Sequence, residues 1–465
     1  MAHAVRPPAR TTRLRLTLAI GTVLTAALLT PATTASAAPA KYADDFNGDG
    51  YRDYAYASYS SKGGGSVAVV SGTANGPGTT TKRISQASTG VPGADEADDM
   101  FGEVRAAADF DGDGYGDLAV AATGENGAAG ADQGSVTLLW GSPTGLSTGT
   151  TLPNKKPGSH NAMGKDLATG DFNGDGKQDL AVINGSVTYV YRGPLTRSGT
   201  TGAVTKLDKT SSFYSTALIP GKVNGDGKTD LVIIGDVVTS SYVASDAWFI
   251  KGGSSSLTSG KTLRLESESG DGGSADRGGD GVIADFDKDG YGDIAIGTAL
   301  YSKHKGRVSL WYGSSTGPAD STRITQASRG MAGTPENYDE FGSSISAGDV
   351  NGDGYQDLAI GVSNEAIDGK DNAGGVHVLK GRASGLSGTG SQWFARNSPG
   401  VPGTLESYDG FGGLVRLRDT DGDRYADLYA SGGFSSLRLP GASSGITTTG
   451  AASADAVPVD ALLQP

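Results

Sequence analysis

Short apolar runs, interrupted every few residues by Gly, Asn, Asp or Ser, recur along most of the chain and carry no helical period. Four kinds of stretch alternate. Phe101 to Ala108 and Phe341 to Gly348 mix apolar and small polar residues, whereas Asp117-Leu-Ala-Val-Ala121 and Asp357-Leu-Ala-Ile-Gly361 are tight apolar runs. A third kind follows a glycine, as in Gly65 to Val70, Gly134 to Leu139, Gly306 to Trp311 and Gly375 to Leu379. The fourth is more polar, as in Lys82 to Ala87 and Arg323 to Ala327. Short strands with Gly-rich turns such as Gly141 to Gly145 and Gly313 to Gly317 predict an all-β protein built from four-stranded units.

Between the first two strands of each unit lies one nine-residue phrase, present seven times: residues 45–53, 109–117, 171–179, 222–230, 285–293, 349–357 and 419–427. The starts lie 64, 62, 51, 63, 64 and 70 residues apart. A repeat of that length points to stacked supersecondary units that bury their faces on one another. Seven four-stranded units suit a closed seven-bladed β-propeller, which leaves few exposed edges. A linear β-solenoid is the weaker alternative, since its repeats are usually shorter. The propeller is expected over 38–450, with 451–465 as a tail able to add a closing strand.

The phrase has the chemistry of a calcium cradle. Hard cations take several oxygen ligands, and acids at positions 1, 3 and 5 of a tight loop converge on one point, with the position-7 carbonyl added. A Gly at position 6 permits the turn, and position 9 is Asp in every copy. The expected ligands are Asp45, Asn47, Asp49, Tyr51 and Asp53; Asp109, Asp111, Asp113, Tyr115 and Asp117; and Asp171, Asn173, Asp175, Lys177 and Asp179. Downstream they are Asp285, Asp287, Asp289, Tyr291 and Asp293; Asp349, Asn351, Asp353, Tyr355 and Asp357; and Asp419, Asp421, Asp423, Tyr425 and Asp427. An EF-hand needs a bidentate Glu at position 12, where this chain has Tyr56, Val120, Val182, Ile233, Ile296, Ile360 and Ala430. Asn-Gly and Asp-Gly also make plain hairpin turns, but a turn does not require acids at four fixed positions. Lys222 replaces the first carboxylate of the fourth copy, so that loop is expected to be neutralised by its own ammonium and to bind no calcium. Arg424 replaces the turn glycine of the last copy, making its geometry less secure. About six calcium ions are expected.

The phrase, preceded by Phe-Gly at Phe101-Gly102, Phe341-Gly342 and Phe411-Gly412, resembles the FG-GAP repeat of integrin α-subunit propellers and the related bacterial VCBS-type repeats. The resemblance covers essentially the whole chain after residue 37. It implies a seven-bladed propeller with calcium in the hairpin between the first two strands of a blade. It implies an extracellular binding or adhesion role too. The Gly-Ala-Pro half of the repeat is missing, replaced by Ala121-Ala122-Thr123, Gly297-Thr298-Ala299 and Gly361-Val362-Ser363, which sets integrin-style partner recognition apart from the fold.

Composition narrows the rest. The 465 residues include 75 Gly and no Cys, and carry a formal charge of −13. Without cysteine there are no disulfides, thiolate metal sites or cysteine nucleophile. An acidic chain argues against nucleic acid or an anionic membrane as the main partner. Arg6, Arg10, Arg13 and Arg15, the apolar run Leu16 to Leu29, and Ala35-Ser36-Ala37 read as a signal peptide over 1–37. The apolar run is too short to span a bilayer, so a secreted, extracellular monomer without a membrane span is expected, with a net charge near −17. Much of that acidity sits in the loops: 21 of 51 acidic residues belong to the six intact copies.

Three segments before an inner strand resemble one another: Gly90 to Gly102, Gly330 to Gly342 and Gly400 to Gly412. In a propeller they lie on the face opposite the calcium hairpins. They put Asp99, Asp339 and Asp409 at equivalent positions, with Tyr338 and Tyr408 beside two of them. These five are candidate contacts for a glycan or protein ligand; the competing reading makes them blade-to-blade hydrogen-bonding caps. No catalytic residue emerges. His377 falls mid-strand, where packing between blades is expected; His160 and His304 lie in loops without evident partners, and no nucleophile elbow or phosphate loop is present. The expected function is a secreted, calcium-stabilised binding or adhesion module. The alternative is an extracellular carbohydrate-active or ester-hydrolysing enzyme on the same fold.

Overall fold

The structure, a computed structural model, describes residues 1, 3, 40–58, 63–210, 212–268 and 280–463. The expected leader, apart from Met1 and His3, lies outside them. From residue 40 onward the described chain forms seven antiparallel sheets, each a meander in which consecutive strands are neighbours. The first holds Tyr54–Ser58, Ser66–Thr73 and Gly76–Ile84; the second Arg105–Ala108, Asp117–Ala122, Ser135–Leu139 and Gly149–Thr151. The third holds Leu167–Gly170, Asp179–Asn184, Val187–Tyr191 and Val204–Leu207; the fourth Phe213–Gly221, Asp230–Val238, Val243–Lys251 and Thr258–Glu268. The fifth holds Gly281–Ala284, Asp293–Thr298, Arg307–Trp311 and Ser321–Ile324; the sixth Phe341–Gly348, Asp357–Val362, Gly375–Leu379 and Gln392–Phe394. The seventh holds Val415–Arg418, Asp427–Ala430, Leu437–Leu439 and Ala452–Ser453. These are the blades of a seven-bladed β-propeller.

The apolar runs end up between blades. Ala119, Leu138 and Trp140 of blade two pack with Leu180, Val187 and Tyr191 of blade three. Comparable clusters join blades one and two, three and four, four and five, five and six, and six and seven. The second strand of a blade is buried on both faces, which explains its unbroken apolar run. The Phe-Gly pairs serve the same seams. Phe101, Phe341 and Phe411 are buried, and Gly412 (φ 91°) lies so near blade six that a Cβ would sit 2.5 Å from the carbonyl oxygen of Gly375.

Inner strands ring a central channel of about 380 Å³ and are stitched to one another by polar side chains. Asp166 accepts the amide of Leu218 at 2.7 Å, and the amide of Leu417 donates to Ser346 Oγ at 2.9 Å.

Blade one departs from the four-stranded expectation. It has three strands, and no strand precedes its loop among the described residues. The tail packs against this blade without adding a strand to it among the described residues. Ala452–Ser453 completes blade seven, and the chain then forms a 3-10 turn, Val459–Ala461, against Tyr54–Ser58. Val457, Ala461 and Leu462 bury themselves with Tyr54 and Val70. Arg105 of blade two donates to Asp460 at 3.0 Å, and Arg416 of blade seven donates to the carbonyl of Leu462 at 3.2 Å. Asp460 and Leu463 line the channel beside the inner strands.

His377 is packed as expected, between the rings of Phe341 and Trp393. Neither ring nitrogen has a hydrogen-bond partner among the described residues, and burial pushes the imidazole down from 6.5 to about 4. The unfolded chain therefore takes up a proton below about pH 6.5 that the folded chain refuses until about pH 4, and stability is lost as pH falls through that window. His377→Leu is expected to stabilise the protein by ~1–3 kcal/mol, the cost of unmet buried polar groups, and to flatten the acid side of its stability curve. Denaturant melts at pH 5 and 8 measure both effects; a destabilised variant would overturn the assignment.

Candidate functional site

Each nine-residue loop is organised by its own carboxylates. The first Asp gathers the amides that follow: Asp109 accepts from Gly112 at 2.8 Å, Asp113 at 3.1 Å and Gly114 at 3.1 Å. Asp45, Asp171, Asp285, Asp349 and Asp419 do the same in their loops. The position-5 carboxylate accepts the position-7 amide, as Asp49 does from Tyr51 at 2.9 Å. Turn position 6 has positive φ throughout, and Arg424 adopts it too, at 79°, a conformation costing a non-glycine residue about 1–2 kcal/mol. The last loop thus keeps its geometry despite the substitution.

The ninth Asp fastens the loop to the blade. Asp117 accepts the amide of Phe110 at 2.9 Å through one oxygen and that of Gly141 at 2.8 Å through the other. Asp53, Asp179, Asp230, Asp293 and Asp357 repeat the same bridge. These carboxylates are buried. Burial pushes Asp117 up to about 8, Asp53 and Asp293 to about 7, and Asp179 and Asp357 to about 6, with the donated amides pulling the other way. Loss of water around these carboxylates is the main cause of the rise, and neighbouring loop carboxylates add to it. Carboxylate oxygens of Asp285, Asp287 and Asp289 lie within 4.8 Å of one another, as do those of Asp109, Asp111 and Asp117, and of Asp419, Asp421 and Asp423. Such hard oxygen sets suit calcium where no side-chain cation already occupies them.

Position 7 has a second use. The rings of Tyr115, Tyr291 and Tyr425 lie over the position-4 glycines of the preceding loops, Gly48, Gly225 and Gly352. Beyond Gly112 the row is broken, and it is broken again between blades seven and one, where nothing among the described residues lies within 4 Å of a Cβ built on Gly422. A cavity of about 230 Å³ opens there, lined by Tyr42, Tyr51, Tyr54 and Asp421 among others.

Among the described residues, three loops have a position-3 or position-5 carboxylate paired with a cation supplied by the chain itself. In the fourth, the ammonium groups that reach Asp226 belong to Lys228 and Lys251, each at 3.6 Å, and not to Lys222 as expected. In the second, Arg197 of blade three pairs with Asp111 at 2.8 Å and Asp113 at 2.7 Å. In the seventh, Arg438 pairs with Asp421 and, at 2.8 Å, with Asp427. These arginines escaped sequence reasoning. The available signal for Arg438 was a charge in a third strand whose counterparts are Leu138, Leu310 and Val378.

On the opposite face Asp99, Asp339 and Asp409 are buried and turned into the framework. Asp99 accepts the amide of Glu96 at 2.8 Å, and Asp339 accepts that of Glu336 at 2.5 Å. Asp409 pairs with Arg396 at 2.9 Å and accepts the amide of Phe434 at 3.1 Å. Tyr338 and Tyr408 remain 63% and 70% exposed, and Phe434, which the sequence did not single out, is 68% exposed. The loop histidines do have partners: His160 meets Asp132 at 2.8 Å, and His304 meets Glu340 at 3.5 Å and the ring of Tyr338.

Comparison with known families fits this geometry. The FG-GAP repeat model matches residues 341–379, and the FG-GAP-like repeat model matches 109–182 and 171–233, each match taking in a blade's apolar second strand. The chain is an FG-GAP repeat, integrin-α-like β-propeller. Relatives of this propeller include integrin alpha-8 of Mus musculus, 33% identical over 157 residues, or 32% of this chain and 14% of that protein. Phosphatidylinositol-glycan-specific phospholipase D of Bos taurus is 30% identical over 157 residues, 32% of this chain and 18% of that protein. The matches thus span less than a fifth of either relative. Among solved structures, the exotype rhamnogalacturonan lyase YesX aligns with a TM-score of 0.38 at 12% identity, over 86% of this chain and 70% of that one. Likeness at that level carries no conclusion. No helix among the described residues is long and apolar enough to cross a membrane.

Proposed function

We propose that this FG-GAP propeller is a secreted, extracellular adhesion module that binds a glycan or protein ligand and is stabilised by calcium. The ligand face is the one opposite the metal loops, and the observation that carries the reading is the set of aromatic rings left in solvent there. Tyr338, Tyr408 and Phe434 are mostly exposed although each springs from a firmly anchored backbone. Tyr408 donates its amide to the carbonyl of Asp371 at 2.8 Å, and Tyr338 donates to that of Lys303 at 3.1 Å. Rings held out by a fixed backbone lose little freedom on binding and offer broad contact area. The buried aspartates beneath them set the loops that carry them.

Calcium is proposed for the four loops without an internal cation on their position-3 or position-5 side chains among the described residues: 45–53, 171–179, 285–293 and 349–357. There the position-1, -3, -5 and -9 side chains and the position-7 carbonyl would hold the ion, which would offset the repulsion among the carboxylates.

A glycan array run beside a panel of polysaccharide and ester substrates tests the ligand reading. Saturable binding without turnover is expected, falling at least tenfold in a Tyr408→Ala, Phe434→Ala double variant with an unchanged melting midpoint. Turnover on the panel, or undiminished binding by the variant, would overturn it.

A further inference from the structure

Two of the acidic loops are already closed by a guanidinium. In blade seven the residue two past the ninth Asp is Tyr429 and its cross-strand partner is Arg438. The same pair is Ala119 with Leu138 in blade two, Ala295 with Leu310 in blade five and Ala359 with Val378 in blade six. An arginine has therefore replaced a buried apolar side chain directly behind the loop.

The loop is rewired around it. In the other six loops the ninth Asp accepts the position-2 amide, whereas Asp427 Oδ2 accepts instead from Arg438 Nε at 2.8 Å and Thr420 Oγ1 at 3.2 Å. Thr420 Oγ1 in turn meets the hydroxyl of Tyr429 at 2.6 Å. The second nitrogen of the fork goes to Asp421, at position 3. Arg438 thus spans two of the four carboxylates a metal would need, and it is only partly exposed.

The second loop reaches the same end from a neighbour. Arg197, in the turn between the last two strands of blade three, pairs through Nε with Asp111 and through Nη2 with Asp113, and also donates to the carbonyl of Gly141 at 3.2 Å. Its Cζ lies 5.3 Å from the centre of the Trp140 ring. A planar fork matched to two carboxylates is a strong and specific cation, and a divalent ion placed beside it would meet like charge.

We infer that Arg438 and Arg197 are the resident cations of loops 419–427 and 109–117, so that these two loops take no calcium while the arginines are in place. Neutralisation is then divided between metal and side chains. The fourth loop uses lysines, the second and seventh use arginines, and the remaining four are left for calcium.

The inference rests on the calcium reading above, and counting ions separates the two. Equilibrium dialysis of the full-length protein against calcium is expected to give about four ions per chain. Arg438→Met and Arg197→Met should each bind about five, and the double variant about six. Arg197 lies on the rim, 47% exposed, so its variant is expected to fold even if the Arg438 variant does not. Thermal melts supply an independent readout: in chelator each variant should melt below the natural protein, and calcium should restore the lost increment. About six ions in the natural protein, or no gain in either variant, would overturn the resident-cation inference while leaving the calcium reading intact. No ions in any form of the protein would overturn the calcium reading and this inference with it.

Discussion

In excess chelator the protein is expected to melt roughly 5–15 °C below its midpoint in calcium, a loss that calcium reverses and magnesium does not. A site held at ten to one hundred times its dissociation constant contributes about 1.4–2.7 kcal/mol, so four sites contribute ~6–11 kcal/mol. At about 2.1 cal/mol/K of unfolding entropy per residue, a propeller of this length loses roughly 1 °C for each 0.9 kcal/mol. Magnesium fails because it demands near-octahedral geometry and gives up its waters reluctantly. Calorimetric scans in chelator, calcium and magnesium decide the matter, and identical midpoints in all three would end the calcium reading. The mechanism is visible in the loops: the ninth-position aspartates Asp53 and Asp293 are buried, and loss of water, with the neighbouring loop carboxylates adding to it, pushes both up to about 7. An ion that relieves this strain acts on every blade that carries one.

Removing residues 456–463 is expected to cost about 5–9 kcal/mol. Val457, Val459 and Leu462 each lose the ~1.5–3 kcal/mol that burial of an aliphatic side chain supplies. The ion pair between Arg105 and Asp460 goes with them. The milder Leu462→Asp should cost about half as much and keep the chain length unchanged. Urea melts with size-exclusion chromatography follow both. A truncated protein with the natural midpoint would show that the ring closes without its tail.

Much of this architecture is legible in the order of residues, because a propeller repeats its local instructions. The phrase ending at Asp117 or Asp357 marks a hairpin, the apolar run that follows marks a strand buried on both faces, and the spacing between phrases sets the blade number. The same repetition hid what differs between blades. Arg438 and Arg197 approach their carboxylates only after strands pair across a hairpin or across a seam. Lys228 and Lys251 displaced the role expected of Lys222 for the same reason, since proximity to Asp226 is decided by the fold. Phe434 is exposed because the turn holding it is fastened to Asp409, a contact between residues 25 apart. That no strand precedes the first loop among the described residues had no signature in the sequence, since the phrase at 45–53 is as complete as the others.

The tail that packs against blade one also sets an order of events. Strands ending at Ile84 leave the ribosome early, while Val457 to Leu462, against which Tyr54 and Val70 pack, follow more than 370 residues later. At ~5–20 residues per second the gap is roughly 20–75 s. For that interval Tyr54 and Val70 lack the apolar partners that Val457, Ala461 and Leu462 supply, an exposed apolar surface on which other chains can settle. The first blade made is thus the last one finished, and the nascent chain is most vulnerable to aggregation at its oldest end.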